Sequence, residues 1–220
     1  MDQEAERSAL ILEMIRAGRK LWERQYVDGS GGNMSARLSD QQVICTPSLC
    51  SKGDLTVDDF AVVDMDGSQK AGSKPRSSEI LLHLAIYKAV PQAGAVIHCH
   101  PPHALAYALT GTLPPSGMVP EHEVFVGDVA LVPYETPGTR EFAEAVLPYV
   151  RDRTMLLLQN HGIVCWTDSV THAEWMVEVF DTYCRTVMLA AQLGTGLLPI
   201  PEHKLEELKE IRKKFGFPIT

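Results

Sequence analysis

The first apolar positions, Leu10, Ile11, Met14, Ile15, Leu21 and Trp22, recur at helical spacings, with Arg16, Arg19, Lys20, Glu23 and Arg24 on the other face, which predicts an amphipathic helix. The following DGSGGNMSARL carries three glycines among small polar residues and reads as a turn that permits unusual backbone angles and close ligand approach. QQVICTPS and FAVVDMDG then read as short strands, the second ending in an Asp-Gly turn signal. From Ser77 to Val90 the rhythm is helical again, with Ile80, Leu81 and Leu84 on adjoining turns and Ser77 or Ser78 available as a cap.

AGAVIHCH reads as a buried strand, and the two prolines after it open a helix, HALAYALTG. A strand is expected from Val124 to Pro133, a helix over PGTREFAEAVLPYV, and two buried strands over TMLLLQN and HGIVCW with a turn at His161 and Gly162. A long helix from about Val170 to Leu193 and a narrower one carrying Leu205, Leu208, Ile211 and Phe215 complete the chain. Strands and helices interleave throughout, which predicts one sheet covered by helices. Several connections are too short for helical crossovers, so the sheet is expected to be mixed or largely antiparallel rather than a dinucleotide-binding fold.

Composition supports one domain over residues 1–220, since 45% of the chain is hydrophobic and 22% charged. The net charge of −8 argues against nucleic acid and anionic membrane as partners, because both need clustered Lys and Arg. The amino terminus lacks the basic and apolar regions of a signal peptide, and no apolar run approaches the ~20 residues that cross a bilayer. Five cysteines at 45, 50, 99, 165 and 184 form an odd set without a CxxC pair, which points to a reducing compartment and a cytoplasmic protein.

Chemistry concentrates in the histidines. His98 and His100 stand two apart in an apolar strand, so alternation puts both rings on one face, within reach of one ion, and turns Cys99 to the core. A catalytic zinc site takes three protein ligands and leaves a position open, and His161, at the end of another buried strand and followed by glycine, is the best third ligand. His83, His103, His122, His172 and His203 compete less well. His83 does share a helical face with Glu79, four residues earlier, and is read as structural.

Together GGNMS, TPS, SSEILLH, HCHPPHALA, VPYETPGT and QNHG, in this order and spacing, resemble the class II aldolase/adducin family, closest to its L-fuculose-1-phosphate aldolase branch. The resemblance covers roughly Leu10 to Leu193. It implies a three-layer α/β/α domain with a central, largely antiparallel sheet, assembled as a homotetramer with the site near a subunit interface. It makes His98, His100 and His161 the metal histidines, for Zn2+ or another divalent ion such as Mn2+ or Co2+, and Glu79 the catalytic acid/base that can also ligate the metal. Phosphate of a sugar substrate is then expected at Gly32, Asn33, Ser35, Ser48, Ser77 and Ser78, all neutral donors.

The implied reaction is cleavage of a phosphorylated ketose such as L-fuculose 1-phosphate into dihydroxyacetone phosphate and an aldehyde, the metal polarising the carbonyl and stabilising the enediolate. Epimerisation, dehydration and decarboxylation on the same metal are the alternatives, and a non-enzymatic, adducin-like interaction domain is a further one that the intact histidine triad disfavours. Two positions depart from the aldolase pattern: Leu49 stands where TPTG has glycine, and Val119 stands where those enzymes have a tyrosine that serves the aldehyde oxygen as proton partner. Glu121, His122 and Glu123 are the nearby polar groups, and Glu121, directly after Pro120, is the expected replacement. Tyr134 matches a family position and is read as structural.

Overall fold

A computed structural model describes residues 3–217. Its centre is an eight-stranded sheet built from β1 (Asn33–Arg37), β2 (Gln42–Cys45), β3 (Ala61–Asp64), β4 (Gln69–Ala71), β5 (Ala95–Cys99), β6 (Val129–Val132), β7 (Met155–Leu158) and β8 (Gly162–Thr167). The spatial order is β4-β3-β2-β1-β5-β8-β7-β6, and every neighbouring pair is antiparallel except β6 with β7. Short connections permit the antiparallel pairs, while the parallel pair encloses a crossover through α4 (Arg140–Ala145).

Alternation along the strands feeds two cores. On one face Ala95, Ile97 and Cys99 of β5 join Ile163 and Cys165 of β8 beneath α1 (Gln3–Glu23), α3 (Pro102–Thr110) and α5 (Val170–Gln192), which contribute Met14, Leu21, Ala104, Ala108, Val177 and Phe180. On the other, Val43, Val96, Val164 and Trp166 meet Ile80, Leu84 and Tyr87 of α2 (Ile80–Ala89) and Phe142 of α4. The expected three-layer arrangement is thereby observed, and Cys99 lies in the core as alternation requires. The last helix, α6 (Glu202–Lys214), packs outside the sandwich, its Arg212 donating to the carbonyl of Val124 at 3.0 Å.

Local chemistry fixes the helix ends nearest the sheet. The Asp181 carboxylate of α5 accepts from the backbone N–H groups of His103 and Ala104 at 2.9 and 3.0 Å, so the orphan donors opening α3 are satisfied from a neighbouring helix. Pro102 fits the first turn because its missing N–H has no partner to lose, and Gly111 ends α3 at φ +64°.

Three segments differ from the sequence expectation. NMSAR forms a central strand rather than a turn, because Met34 and Ala36 fill the α1-side core while the polar Asn33 and Ser35 face the α2 side. His122–Val126 is a π-helical turn instead of the start of a strand, which begins only at Val129 after Gly127. The helix expected over PGTREFAEAVLPYV is confined to Arg140–Ala145, with Thr139 capping it by accepting from the Phe142 N–H at 3.1 Å.

Gly94 enters β5 where its backbone passes directly under the turn after β8: a Cβ there would stand 2.0 Å from the Asp168 carbonyl oxygen. Gly94→Ala is therefore expected to lower unfolding stability by about 1–3 kcal/mol or more, since backbone must move. Urea unfolding measures this, and an unchanged midpoint would contradict the register at this edge.

Candidate metal centre

The antiparallel pairing β1–β5–β8 sets Asn33 opposite His98 and His98 opposite Val164, so the end of β5 lies between the glycine loop and the turn that carries His161. His98 projects to the α2 side and is fully buried, His100 follows one residue beyond β5, and His161 sits between β7 and β8. One ring nitrogen from each lies within 4.8 Å of the others. The His98 Nδ1 donates to the Ile163 carbonyl at 2.8 Å, which leaves its Nε2 as the lone-pair nitrogen facing the cluster. The structure thus brings together the three histidines that the sequence singled out.

Glycines make the convergence sterically possible. Gly32, at φ +66°, runs so close to β5 that a Cβ would meet the Val27 side chain at 2.6 Å and the His98 carbonyl at 2.9 Å. A Cβ at Gly162 would meet the Cys99 carbonyl at 2.5 Å and the His100 ring at 2.7 Å. Asn160, at φ +57°, takes the left-handed conformation that turns the chain into His161.

The donor set suits a divalent ion. Burial holds His98 well below the ordinary imidazole range, reinforced by His100 and His161, burial likewise lowers His100, and His161 is brought down to about 4. Neutral imidazoles are the ligating form. The buried Nδ1 of His161 has no hydrogen-bond partner.

Glu79 immediately precedes α2, its N–H donating to the Ser77 hydroxyl at 3.2 Å, and its carboxylate reaches into the cluster. Oε2 lies 3.5 Å from His98 Nε2 and Oε1 lies 3.5 Å from His161 Nε2. Burial raises the carboxyl above the usual carboxylate range, opposed by a 2.6 Å hydrogen bond from Asn33 Nδ2 and by the Lys52 charge. A carboxyl so placed can hold a proton beside a cation and release it.

The expected phosphate residues divide. Asn33 and Ser35 are buried and engaged: Asn33 bonds Glu79 and His83, and the Ser35 hydroxyl contacts His83 Nδ1 at 2.7 Å and Tyr87 Oη at 3.0 Å. Ser48, Ser77 and Ser78 lie on two strands of chain joined by an isolated bridge between Pro47 and Arg76, and only Ser78 is exposed. Ser48 donates to the Arg76 carbonyl at 2.9 Å. Leu49 takes a left-handed backbone, at φ +54°, with its side chain 90% exposed.

Glu121 is not gathered with the histidines. It is exposed and lines a cleft of about 310 Å³ against α5, with Val119, His122, Glu178 and Tyr183. His122 stacks on Tyr183 at 3.9 Å between ring centroids and bonds Glu123 at 3.0 Å.

Sequence reasoning missed three polar residues of the site. Lys52 is buried, its ammonium donating to the carbonyls of Ser30 and Cys50 at 2.9 and 2.7 Å, which ties the glycine loop to the segment after Ser48. Arg76 adds a guanidinium beside Ser77, where only neutral donors were expected. Tyr87 completes, with Glu79 and His83, a polar stripe at spacings of four on an apolar helix, a signal that was present in the sequence.

Known proteins resemble this chain in sequence and fold. The model of the Class II Aldolase and Adducin N-terminal domain matches residues 12–188. A 3-oxo-tetronate 4-phosphate decarboxylase of Cupriavidus necator is 33% identical over 209 residues, covering 92% of this chain and 95% of the relative. An L-fuculose phosphate aldolase of Methanocaldococcus jannaschii is 34% identical, covering 80% and 94% respectively. Among solved structures, an L-fuculose 1-phosphate aldolase superposes with a TM-score of 0.84 at 29% identity, covering 96% of this chain and 97% of its own. With that family model spanning residues 12–188 and relatives above 30% identity along most of its length, the chain belongs to the class II aldolase and adducin family.

Proposed function

We propose that the protein is a zinc-dependent carbon–carbon lyase that decarboxylates a phosphorylated 3-oxo sugar acid, 3-oxo-tetronate 4-phosphate being the first substrate to test. The observation that carries the lyase reading is the Glu79 carboxylate, half-desolvated and 3.5 Å from ring nitrogens of both His98 and His161. A divalent ion on His98, His100 and His161, with Glu79 as a further ligand in the resting enzyme, would supply positive charge that lowers the cost of negative charge on substrate oxygen.

Loss of carbon dioxide from a 3-oxo acid breaks one carbon–carbon bond and leaves its electron pair delocalised onto the ketone oxygen. The carbon must then receive one proton, and Glu79, whose carboxyl pKa is raised by burial, takes that proton from solvent and delivers it. The departing carbon dioxide carries no proton, so this reaction needs no second acid–base group. Aldol cleavage does need one, because the new aldehyde oxygen begins as a hydroxyl. Val119 stands at that position and Glu121 lies in a different cleft of the same chain, which supports decarboxylation. The relatives of Cupriavidus necator, Haemophilus influenzae and Escherichia coli that bear the decarboxylase name support the same choice.

Aldol cleavage of a ketose 1-phosphate is the second reading, favoured by the likeness to fuculose phosphate aldolases. In either case the substrate phosphate would be held by Ser48, Ser77, Ser78 and the amides around Gly32, with Arg76 beside them. The left-handed backbone at Leu49 preserves the amide direction that a glycine would give. A cytoplasmic homotetramer completes the proposal; five unpaired cysteines suit a reducing compartment, and no helix among the described residues is long and apolar enough to cross a membrane.

Three outcomes are expected. Purified protein should carry about one divalent ion per chain, and His98→Ala, His100→Ala or His161→Ala should each deplete it, by elemental analysis. Glu79→Gln should retain metal but lose solvent-proton incorporation at the product carbon by about 100-fold or more, followed by NMR in deuterium oxide. Glu121→Gln should leave decarboxylation unchanged, since that carboxylate lines a separate cleft of the chain; a loss comparable to that of Glu79→Gln would return the assignment to an aldolase-type second acid.

A further inference from the structure

Beneath the metal centre a continuous chain of buried polar side chains runs from Glu79 into the α2 side of the sheet. Its members are Glu79, Asn33, His83, Ser35 and Tyr87, joined by contacts of 2.6, 2.5, 2.7 and 3.0 Å. Asn33, Ser35, His83 and Tyr87 are each no more than 6% exposed, so water does not share these bonds. Two elements supply the chain: β1 offers Asn33 and Ser35 on one face, and α2 offers His83 and Tyr87 on successive turns.

We propose that His83 is a positioning residue, held as a single tautomer, that locks the Asn33 amide so that its N–H points at the Glu79 carboxylate. The direction of every bond follows from the end whose chemistry is fixed. In its ionised form Glu79 only accepts, so Asn33 donates through Nδ2 to Glu79 Oε2 and presents Oδ1 behind it. That oxygen only accepts, so His83 donates to it through a protonated Nε2. A neutral imidazole then has one lone pair left, at Nδ1, which accepts from the Ser35 hydroxyl, and Ser35 in turn accepts from Tyr87.

Neutrality of His83 is supported by its complete burial, which brings its pKa to about 3. Without this ordering the Asn33 amide could turn its oxygen toward Glu79 and repel the carboxylate that remains after a proton has been given up. The polar chain therefore holds a neutral N–H donor against the Glu79 carboxylate. Asn33 and Ser35 thereby support the carboxylate. The role in turnover rests on the reading of Glu79 given above, whereas the bond order does not.

Two measurements on the full, metal-loaded protein test it. Nitrogen-15 NMR of selectively labelled histidine should show His83 with Nδ1 unprotonated and Nε2 protonated; the opposite tautomer, or an exchanging mixture, would overturn the assignment. His83→Leu should lower kcat for 3-oxo-tetronate 4-phosphate by about 10- to 100-fold while KM and bound metal stay unchanged, and His83→Gln, which restores a donor toward Asn33, should recover most of that loss. An unaltered kcat in folded His83→Leu, or no recovery in His83→Gln, would remove the positioning role. Should the wild-type protein turn over none of this substrate, the functional reading fails while the tautomer still decides the bond order; should His83→Leu not fold, the wild-type spectrum decides it likewise.

Discussion

The register of β5 between β1 and β8 is the constraint on which the site depends. Asn33 pairs with His98 across one edge, and His98 pairs with Val164 across the other. A slip of one residue would exchange the two faces of β5, burying Cys99 toward α2 and sending His98 into the apolar core beneath α5. Every later feature inherits this register: the His98 Nδ1 finds the Ile163 carbonyl on the next strand, and the Asn33 amide finds a carboxylate at the start of α2. The glycines at 32 and 162 permit the close backbone approach that such pairing demands at the strand ends.

Electrostatics follow from the same burial. A chain of net charge −8 gathers three neutral histidines, one half-desolvated carboxylate and one buried lysine at the edge of its sheet. Lys52 spends its donors on the carbonyls of Ser30 and Cys50, so its charge acts through space on Glu79 while its hydrogen bonds hold two loops together. Arg76 and Ser77 continue that side of the site toward the segment carrying Ser48, a short run of chain away from Glu79. The proposed substrate, with phosphate at one end and the breaking bond at the other, fits this arrangement, while Glu121 lines the separate α5-side cleft of the chain.

The histidine cluster was legible because alternation and a buried strand end are local signals, and Glu79 through the family resemblance that SSEILLH carries. The sheet was legible in its composition but not in its central member: NMSAR looks like a loop because its α2-facing positions, Asn33 and Ser35, are polar for the sake of the chain that ends at Glu79. The resemblance assigned those two residues to phosphate and gave no sign of their bonds to Glu79 and His83, while Tyr87 and His83 looked like parts of an ordinary apolar helix. Lys52 carried no signal at all, since its partners are backbone carbonyls fixed only by the folded loops. Glu121 was singled out by proximity in sequence to Val119, but the π-helical turn at His122–Val126 directs that segment against α5.

X-ray absorption spectroscopy of the metal-loaded protein tests the central claim most directly. The account predicts a first coordination shell containing three imidazole nitrogens at about 2.0–2.1 Å, completed by oxygen and free of sulfur, if the ion is zinc. A shell containing sulfur, or fewer than three histidines, would contradict the assembly of His98, His100 and His161 into one site.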